Sequence, residues 1–218
     1  MTPLPLAVLA PTALAFLAVI GLSACKIVKT PEPGTDTAIA SGEAGDDARI
    51  AALLDDTLDS QLLPLMREKA IGVADLRAAV AAGLDAAGTA QGVRGAGAGA
   101  AWNFAVKGSG VVIAANLESR ARKADLDTDG DGVADLTLQL GPVIKGTSLR
   151  DVAPFYDFND FRDQIEFAKL GRAINDRVSP MVTLPEGDLV GQVLGFTGAV
   201  TLKAASDPWL VTVIEVTR

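Results

Sequence analysis

The feature that most limits what this chain can fold into is its first 25 residues. They contain no Lys, Arg, Asp or Glu, are apolar from Leu4 to Leu22, and end at the chain's only cysteine, Cys25. An apolar run followed by small residues is typical of a secretory signal peptide. The folded part is therefore expected to lie after Cys25, with no second cysteine available for a disulfide.

The ending Leu22-Ser23-Ala24-Cys25 resembles a lipobox, in which diacylglycerol is attached to the cysteine and the segment before it is removed. We predict that residues 1–25 are a lipoprotein signal peptide cleaved before Cys25 and that Cys25 is lipidated. The alternative is an uncleaved membrane-spanning helix, because this apolar segment is long enough to cross a bilayer. Pro5 and Pro11 are unfavourable inside such a helix.

The residues after the anchor predict where the protein sits. Lys26 stands where many inner-membrane lipoproteins carry Asp, so we expect a cell-envelope protein, lipid-anchored in the outer membrane and facing the periplasm. Residues 26–45 mix Pro, Gly, Thr and Ser without apolar periodicity. This composition is typical of a flexible tether.

Composition excludes several classes of function. The net charge of -8 repels phosphate backbones, so no nucleic acid partner is expected. Histidine is absent, so neither a Ser-His-Asp or Cys-His nucleophile nor a histidine zinc site can be built. A carboxylate-based glycan hydrolase stays open, because Asp160, Asp163 and Glu166 lie close together on one predicted helix. At this spacing they are more simply its solvated face.

Residues 46–91 have the apolar spacing of helices. The first helix starts near Asp46, with Asp46 or Asp47 as its N-cap, and Pro64 should end or kink it. A second helix follows Gly72. The apolar positions of the first helix are Ile50, Leu53, Leu54, Leu58, Leu62 and Leu65. The pattern predicts a small helical domain.

Residues 92–101 are rich in Gly and Ala and are interpreted as a linker. Beyond them apolar residues recur at about every second position, as in β-strands. Two runs, 101–107 and 111–118, surround Gly108-Ser109-Gly110, which predicts two strands joined by a tight turn.

The rest of the chain predicts a barrel. Residues 136–140 alternate Leu with polar residues and predict a half-buried strand, whereas 160–177 have helical spacing through Phe161, Ile165, Ala168 and Ile174. Two more strands are predicted over 189–202 and 209–216. This order is that of an OB-type barrel. We therefore expect an α+β chain: a small helical N-terminal domain (46–91), then an OB-like five-stranded β-barrel domain (92–218) with one helix between the third and fourth strands.

An acidic loop precedes the leucine strand. Carboxylates stand at loop positions 1, 3, 5 and 9 with Gly132 at position 6, which is the spacing of a calcium loop. The predicted Ca²⁺ ligands, of structural role, are Asp127, Asp129, Asp131, Val133 and Asp135. Position 12 is Leu138 rather than a bidentate Glu, so the alternative is a hairpin turn whose carboxylates accept backbone N–H groups.

Four segments together resemble a family of uncharacterised predicted periplasmic lipoproteins. They are 102–104 with 108–110, the acidic loop 127–135, the run GPVIKGTSLRD at 141–151, and 158–161 with Gln164, Phe167 and Asn175. The resemblance implies a small helical domain followed by an OB-like barrel. Because members tend to be encoded beside simple-sugar ABC transporters, it also implies a link to sugar uptake and a sugar transporter component as partner.

A candidate binding surface follows from the same segments: Lys145, Arg150, Asp151 and Asp160. Such residues also commonly form ion pairs and caps. The expected function is therefore that of a non-catalytic binding or accessory lipoprotein, not an enzyme. The alternative is a structural or protein-interaction module of the envelope, and the carboxylate hydrolase is the third hypothesis.

Overall fold

Residues 41–95 and 99–218 are the part of the chain that the computed structural model describes, and they belong to one unit. The predicted signal peptide, Cys25 and residues 26–40 of the predicted tether lie outside it. Within the described residues, no helix is long and apolar enough to cross a membrane. Glu43–Gly45 form a 3₁₀ turn, so regular structure begins before residue 46.

The first helical segment follows the predicted apolar face but does not stop at Pro64. Helix α1 (Asp46–Thr57) continues through a π-helical turn (Leu58–Leu62) into α2 (Leu63–Lys69). Pro64 lies in the first turn of α2 and has no backbone N–H to donate to the preceding turn. The wider turn before it bonds the Leu63 N–H to the Leu58 carbonyl. Pro64 therefore alters the hydrogen bonding of the segment without ending it.

Two further helices, α3 (Val73–Ala82) and α4 (Leu84–Gln91), are flanked by two-residue strands. The strand β1 (Ile71–Gly72) and the strand β2 (Val93–Arg94) both pair with the strand that follows. The predicted linker thus contributes a strand.

Five longer strands close into a barrel. Neighbouring strands are antiparallel except for one parallel pair, β5 with β7, and the pairing of β3 with β6 closes the sheet. The strands are β3 (Trp102–Asn116), β4 (Ala121–Asp127), β5 (Leu136–Pro142), β6 (Val193–Leu202) and β7 (Trp209–Thr217). The short helix α5 (Ser148–Asp151) and the longer helix α6 (Gln164–Val178) lie between β5 and β6, the third and fourth barrel strands. The predicted α+β fold with an OB-like barrel is confirmed.

The predicted turn at Gly108-Ser109-Gly110 is wrong, because β3 runs through it without a break. A Cβ atom at Gly108 would lie 2.6 Å from Val73 Cγ1, and one at Gly110 would overlap the carbonyl oxygen of Asp127. Here β3 changes partner, pairing with β6 up to Val111 and with β4 from Val111 onward. The glycines let neighbouring backbones approach closely at a barrel corner.

Helix α6 starts later than the apolar spacing predicts. Phe158–Asp160 form a 3₁₀ turn, and the Asp163 side chain caps α6 by accepting from the Ile165 and Glu166 backbone N–H groups. Ile165 is 58% exposed, so it does not belong to the buried face as predicted. That face is formed by Leu170, Ile174 and Val178.

Two apolar cores hold the elements together. One fills the barrel and includes Leu126, Leu138 and Val213, with Leu76 of α3 packed against them. The other lies between the helices and the outer barrel surface, where Leu54 and Ile174 share a cluster with small barrel side chains. The helical residues and the barrel therefore share both cores.

Candidate functional site

A cleft of about 560 Å³ lies between α1 and the segment that leads into α6. We call it the α1–α6 cleft. Its apolar side chains are Ile50, Leu53, Phe155, Tyr156 and Phe161, and its charged ones are Arg49, Asp160, Arg162 and Glu166. An apolar and aromatic lining with a few converging polar groups is the usual composition of a ligand site.

The charged side of this cleft is organised by Asp46. This carboxylate is fully buried and accepts hydrogen bonds from Arg49 Nη2 at 2.6 Å, Arg162 Nη2 at 3.0 Å and Lys169 Nζ at 3.1 Å. Burial raises the pKa of Asp46, but the hydrogen bonds and charges of Arg162 and Lys169 outweigh it, and the net pKa is lowered. The same contacts raise the pKa of Arg162 and of Lys169.

The expectation that Asp46 or Asp47 caps α1 is wrong. The N-cap is Gly45, without a side-chain hydrogen bond, and Asp46 is the first helical residue. Its partners on α6 and just before it lie more than a hundred residues away in sequence. Helical spacing carries no signal for such a contact.

Glu166 is the second buried acid of the cleft. Its Oε1 accepts from Arg49 Nε at 2.9 Å, and its Oε2 accepts from the Arg162 backbone N–H at 2.7 Å. Asp163 is occupied as the N-cap of α6, whereas Asp160 is exposed in the cleft. Two of the three acids considered for a hydrolase therefore have structural partners.

Aromatic residues form the cleft wall that sequence reasoning missed. The Tyr156 hydroxyl is buried and hydrogen-bonded to Thr57 Oγ1 at 2.8 Å, and burial raises the pKa of Tyr156. Phe155 packs edge-on against Tyr156 at 4.6 Å, and Phe161 packs against Phe167 at 5.1 Å. The signal was present as four aromatic residues within the heptapeptide FYDFNDF at 155–161.

The predicted binding surface is not one surface. Arg150 donates to Asp151 Oδ1 at 2.7 Å and to the Phe167 carbonyl at 2.8 Å, and its guanidinium lies 3.7 Å from the centre of the Phe167 ring. Arg150 and Asp151 line a smaller cleft of about 220 Å³, whereas Asp160 lines the α1–α6 cleft. Lys145 is exposed and lines neither. The four residues do not share a rim.

The acidic loop is held by its own backbone. Asp127 accepts from Gly130 N at 2.6 Å and from Gly132 N at 2.8 Å, and these bonds lower its pKa. Asp135 accepts from the Thr128 N–H and hydroxyl and pairs with Arg77 at 3.0 Å. Burial raises the pKa of Asp135, but these contacts outweigh it and lower the pKa overall.

Three of the five predicted calcium ligands come together. Asp127, Asp129 and Asp135 each place a carboxylate oxygen within 4.8 Å of the others. Asp131 is outside this group, and its Oδ1 accepts from the Val133 N–H at 2.8 Å.

Comparison with known proteins supports the fold and assigns the family. No curated protein matches the chain. The crystal structure of an OB-fold protein from Thermotoga maritima superposes with a TM-score of 0.54 at 14% identity, covering 79% of this chain and 94% of that one. At this identity the likeness shows the fold alone.

Residues 15–217 match the model of a family described as predicted periplasmic lipoprotein (DUF2291). The chain therefore belongs to this family of predicted periplasmic lipoproteins, which are lipid-anchored proteins of the cell envelope.

Proposed function

We propose that this lipoprotein is a non-catalytic binding protein that serves simple-sugar uptake and uses the α1–α6 cleft to hold its ligand. The observation that carries the proposal is the composition of that cleft. Aromatic rings of Phe155 and Phe161 stand beside the charged groups of Arg162 and Asp160. The apolar face of a sugar ring packs on aromatic rings while its hydroxyls bond to charged groups, so the cleft suits a small neutral sugar.

The partners of the acids favour binding over catalysis. Glu166 accepts from Arg49 and from the Arg162 backbone N–H, and Asp163 caps a helix, so both acids are already held by partners within the protein. Asp160 is left as an exposed carboxylate. A hydrolase needs two acids facing each other across the bond that is cut.

The link to sugar uptake rests on the resemblance given above, whose members tend to lie beside simple-sugar ABC transporters. A transporter component is the proposed partner. Anchoring in the outer membrane would favour a mobile periplasmic binding protein as that component, since a partner in the inner membrane would then be out of reach. Lys145, at the barrel surface, remains a proposed contact residue.

A calcium ion in the acidic loop is a further, structural part of the proposal. Three carboxylate oxygens within 4.8 Å repel one another, and a divalent cation would neutralise them. The alternative is that backbone N–H groups alone stabilise the loop, as they already do at Asp127.

The structural-module alternative is favoured by one surface feature. Val111 and Val193 are paired across β3 and β6, and both are exposed, as is Val190 near them. Three exposed valines at one end of the barrel are a plausible contact for another protein.

Titration calorimetry tests sugar binding in the purified full-length lipoprotein in detergent, with glucose, galactose and ribose as probes. We expect Phe161→Ala to weaken binding about tenfold, because a stacking ring is lost. Phe158→Ala is the matched control, since Phe158 is exposed and lines the smaller cleft. Absence of heat with all three sugars, or equal loss in both variants, contradicts the proposal.

Photo-cross-linking in intact cells tests the partner. A photoreactive residue placed at Lys145 should capture a sugar-transport protein, and one placed at Val193 should not. Recovery of cell-wall or outer-membrane assembly proteins from Val193 alone, with normal growth on simple sugars after deletion, would instead support the structural module.

A further inference from the structure

A second cleft, with a volume of about 530 Å³, lies where the end of β5 meets α6. We call it the β5–α6 cleft. Its wall includes Pro142, Val143, Ile144 and Gly146 from the GPVIKGTSLRD run, and it shares no lining residue with the α1–α6 cleft. The most specific segment of the sequence thus borders a cavity that the proposed function does not use.

The wall of this cleft is held in place by buried amides. The Gln139 amide donates to the Lys145 carbonyl at 2.9 Å and accepts from the Lys145 N–H at 2.8 Å. Gln139 is itself anchored to Thr212 Oγ1 at 3.0 Å inside the barrel wall. Asn175 Nδ2 on α6 donates to the Gly146 carbonyl at 3.0 Å. These bonds hold the loop before any ligand arrives, as a binding site requires.

Two arginines from distant parts of the chain line this cleft. Arg120 comes from the β3–β4 connection and Arg172 from α6, and both are exposed. Among the described residues, neither guanidinium has a hydrogen-bond or ion-pair partner. By contrast, Arg122 on the same hairpin donates to the carbonyls of Gly141 and Leu140.

The charge of the lining is positive although the chain is acidic. Asp176 is the acid that lines the cleft beside Arg120 and Arg172, which leaves one net positive charge there. The chain as a whole carries a net charge of -8. The lining therefore attracts a small anion although the chain as a whole is acidic.

Asn175 is part of the wall of this cleft. Because the Gly146 carbonyl can only accept, the amide nitrogen must face it, and Oδ1 points away. Asn175 is only 5% exposed, and its Oδ1 has no donor among the described residues. This oxygen is not open to the cleft, so Asn175 contributes by holding the Gly146 carbonyl through Nδ2 and does not contact a ligand.

We propose that the β5–α6 cleft binds a small sugar acid, that is, a carboxylate on a polyhydroxylated carbon skeleton. Arg120 and Arg172 would hold the carboxylate by charge-assisted hydrogen bonds. Thr147 and Ser179 also line the cleft and would bond to the ligand hydroxyls, and Val143 and Ile144 would contact the carbon skeleton. The site differs from the α1–α6 cleft in place and in ligand charge, so either proposal can fail without the other.

Calorimetric titration of the full-length lipoprotein in detergent with glucuronate tests this site. Glucose lacks the carboxylate, acetate lacks the hydroxyls, and inorganic phosphate offers a different anion. We expect glucuronate to bind more tightly than acetate and glucose not to compete with it. Arg120→Gln and Arg172→Gln should each weaken binding about tenfold, since each removes a charged donor.

Arg218→Gln is the matched control, because it removes the same charge from an exposed residue that does not line the cleft. Its affinity for glucuronate should equal that of the wild type. No binding of glucuronate, or an equal loss in all three variants, overturns the proposal. Phosphate binding that depends on Arg120 and Arg172, without glucuronate binding, also overturns it and assigns the cleft to phosphates.

Discussion

Asp46 is the residue on which the packing of α1 against α6 most depends. Its carboxylate is completely buried, yet it stays ionised because Arg49, Arg162 and Lys169 all donate to it. A buried charge is tolerated only when it is paired and hydrogen-bonded. Removing the charge takes away the one buried anion that Arg49, Arg162 and Lys169 share and leaves each with a single other acidic partner among the described residues.

We expect Asp46→Asn to lower the free energy of unfolding and to shift the urea midpoint clearly downward. Since the pKa of Asp46 is lowered in the folded state, its contribution is present above the ordinary value of 3.8 and is lost as pH falls through the folded value. Stability of the wild type should therefore fall more steeply below pH 4 than that of Asp46→Asn. Urea unfolding from pH 2 to 7 measures this.

Asp56→Asn is the matched control for that experiment. Asp56 is exposed on the same helix, and its side chain has no partner within the described residues. Its midpoint should stay close to the wild-type value at every pH. If the free energy of unfolding fell equally with decreasing pH in the wild type and in Asp46→Asn, the buried charge would have no part in stability.

At the level of single elements, β3 depends on its glycines for close approach of neighbouring strands. Gly110→Ala should lower the free energy of unfolding by about 2 kcal/mol, because its Cβ would overlap the Asp127 backbone. Ser109→Ala, one position away, should change it by less than about 0.5 kcal/mol. Urea titration at neutral pH distinguishes them, and equal values would contradict the close approach.

The acidic loop between β4 and β5 provides a second test at this scale. With a dissociation constant of about 0.1 mM, a calcium concentration of about 1 mM would add roughly 1.4 kcal/mol of stability. Asp129→Ala should abolish this response because Asp129 belongs to the carboxylate group. Asp59→Ala, which removes an exposed acid elsewhere, should retain it. A melting temperature that is unchanged between chelator and calcium would leave only the hairpin-turn interpretation.

Across the whole molecule, the helices and the barrel should unfold together because they share both apolar cores. Trp102 and Trp209 lie in barrel strands and contact Asp85 and Arg77 of the helices, so their fluorescence reports the barrel and its contact with the helices. Far-ultraviolet circular dichroism reports the secondary structure of both parts. The two signals should give one urea midpoint. Leu54→Ala and Leu138→Ala, one in each core, should each lower the free energy of unfolding by about 2 to 5 kcal/mol, with the same value from both signals. Separate midpoints would show independent domains.

Attachment to the membrane is also a property of the whole molecule. Cys25→Ser should lose acyl labelling and leave the membrane fraction, because the cysteine is the proposed lipid site and the chain has no other. Ser23→Ala keeps a small residue before the cysteine and should remain labelled. A Cys25→Ser protein that stays unprocessed in the membrane would support the transmembrane alternative.

The alternation of apolar and polar residues and the order of strands and helix were enough to predict the barrel but not its details. Leu136, Leu138 and Leu140 are buried as their alternation predicts, because a barrel strand places every second side chain inward. The prediction of a turn at Gly108-Ser109-Gly110 was wrong, because glycine occurs both in turns and where neighbouring backbones approach closely. Only the position of Val73 and Asp127 beside these glycines distinguishes the two uses.

The sequence by itself determined the family, the order of strands and helix, and the spacing of the acidic loop, because each of these depends on residues close together in the chain. Tertiary structure alone decided the site. Asp46 contacts Arg162, and Arg120 and Arg172 line one cleft, only in the folded chain. Contacts between distant residues depend on folded geometry, and local periodicity does not encode them.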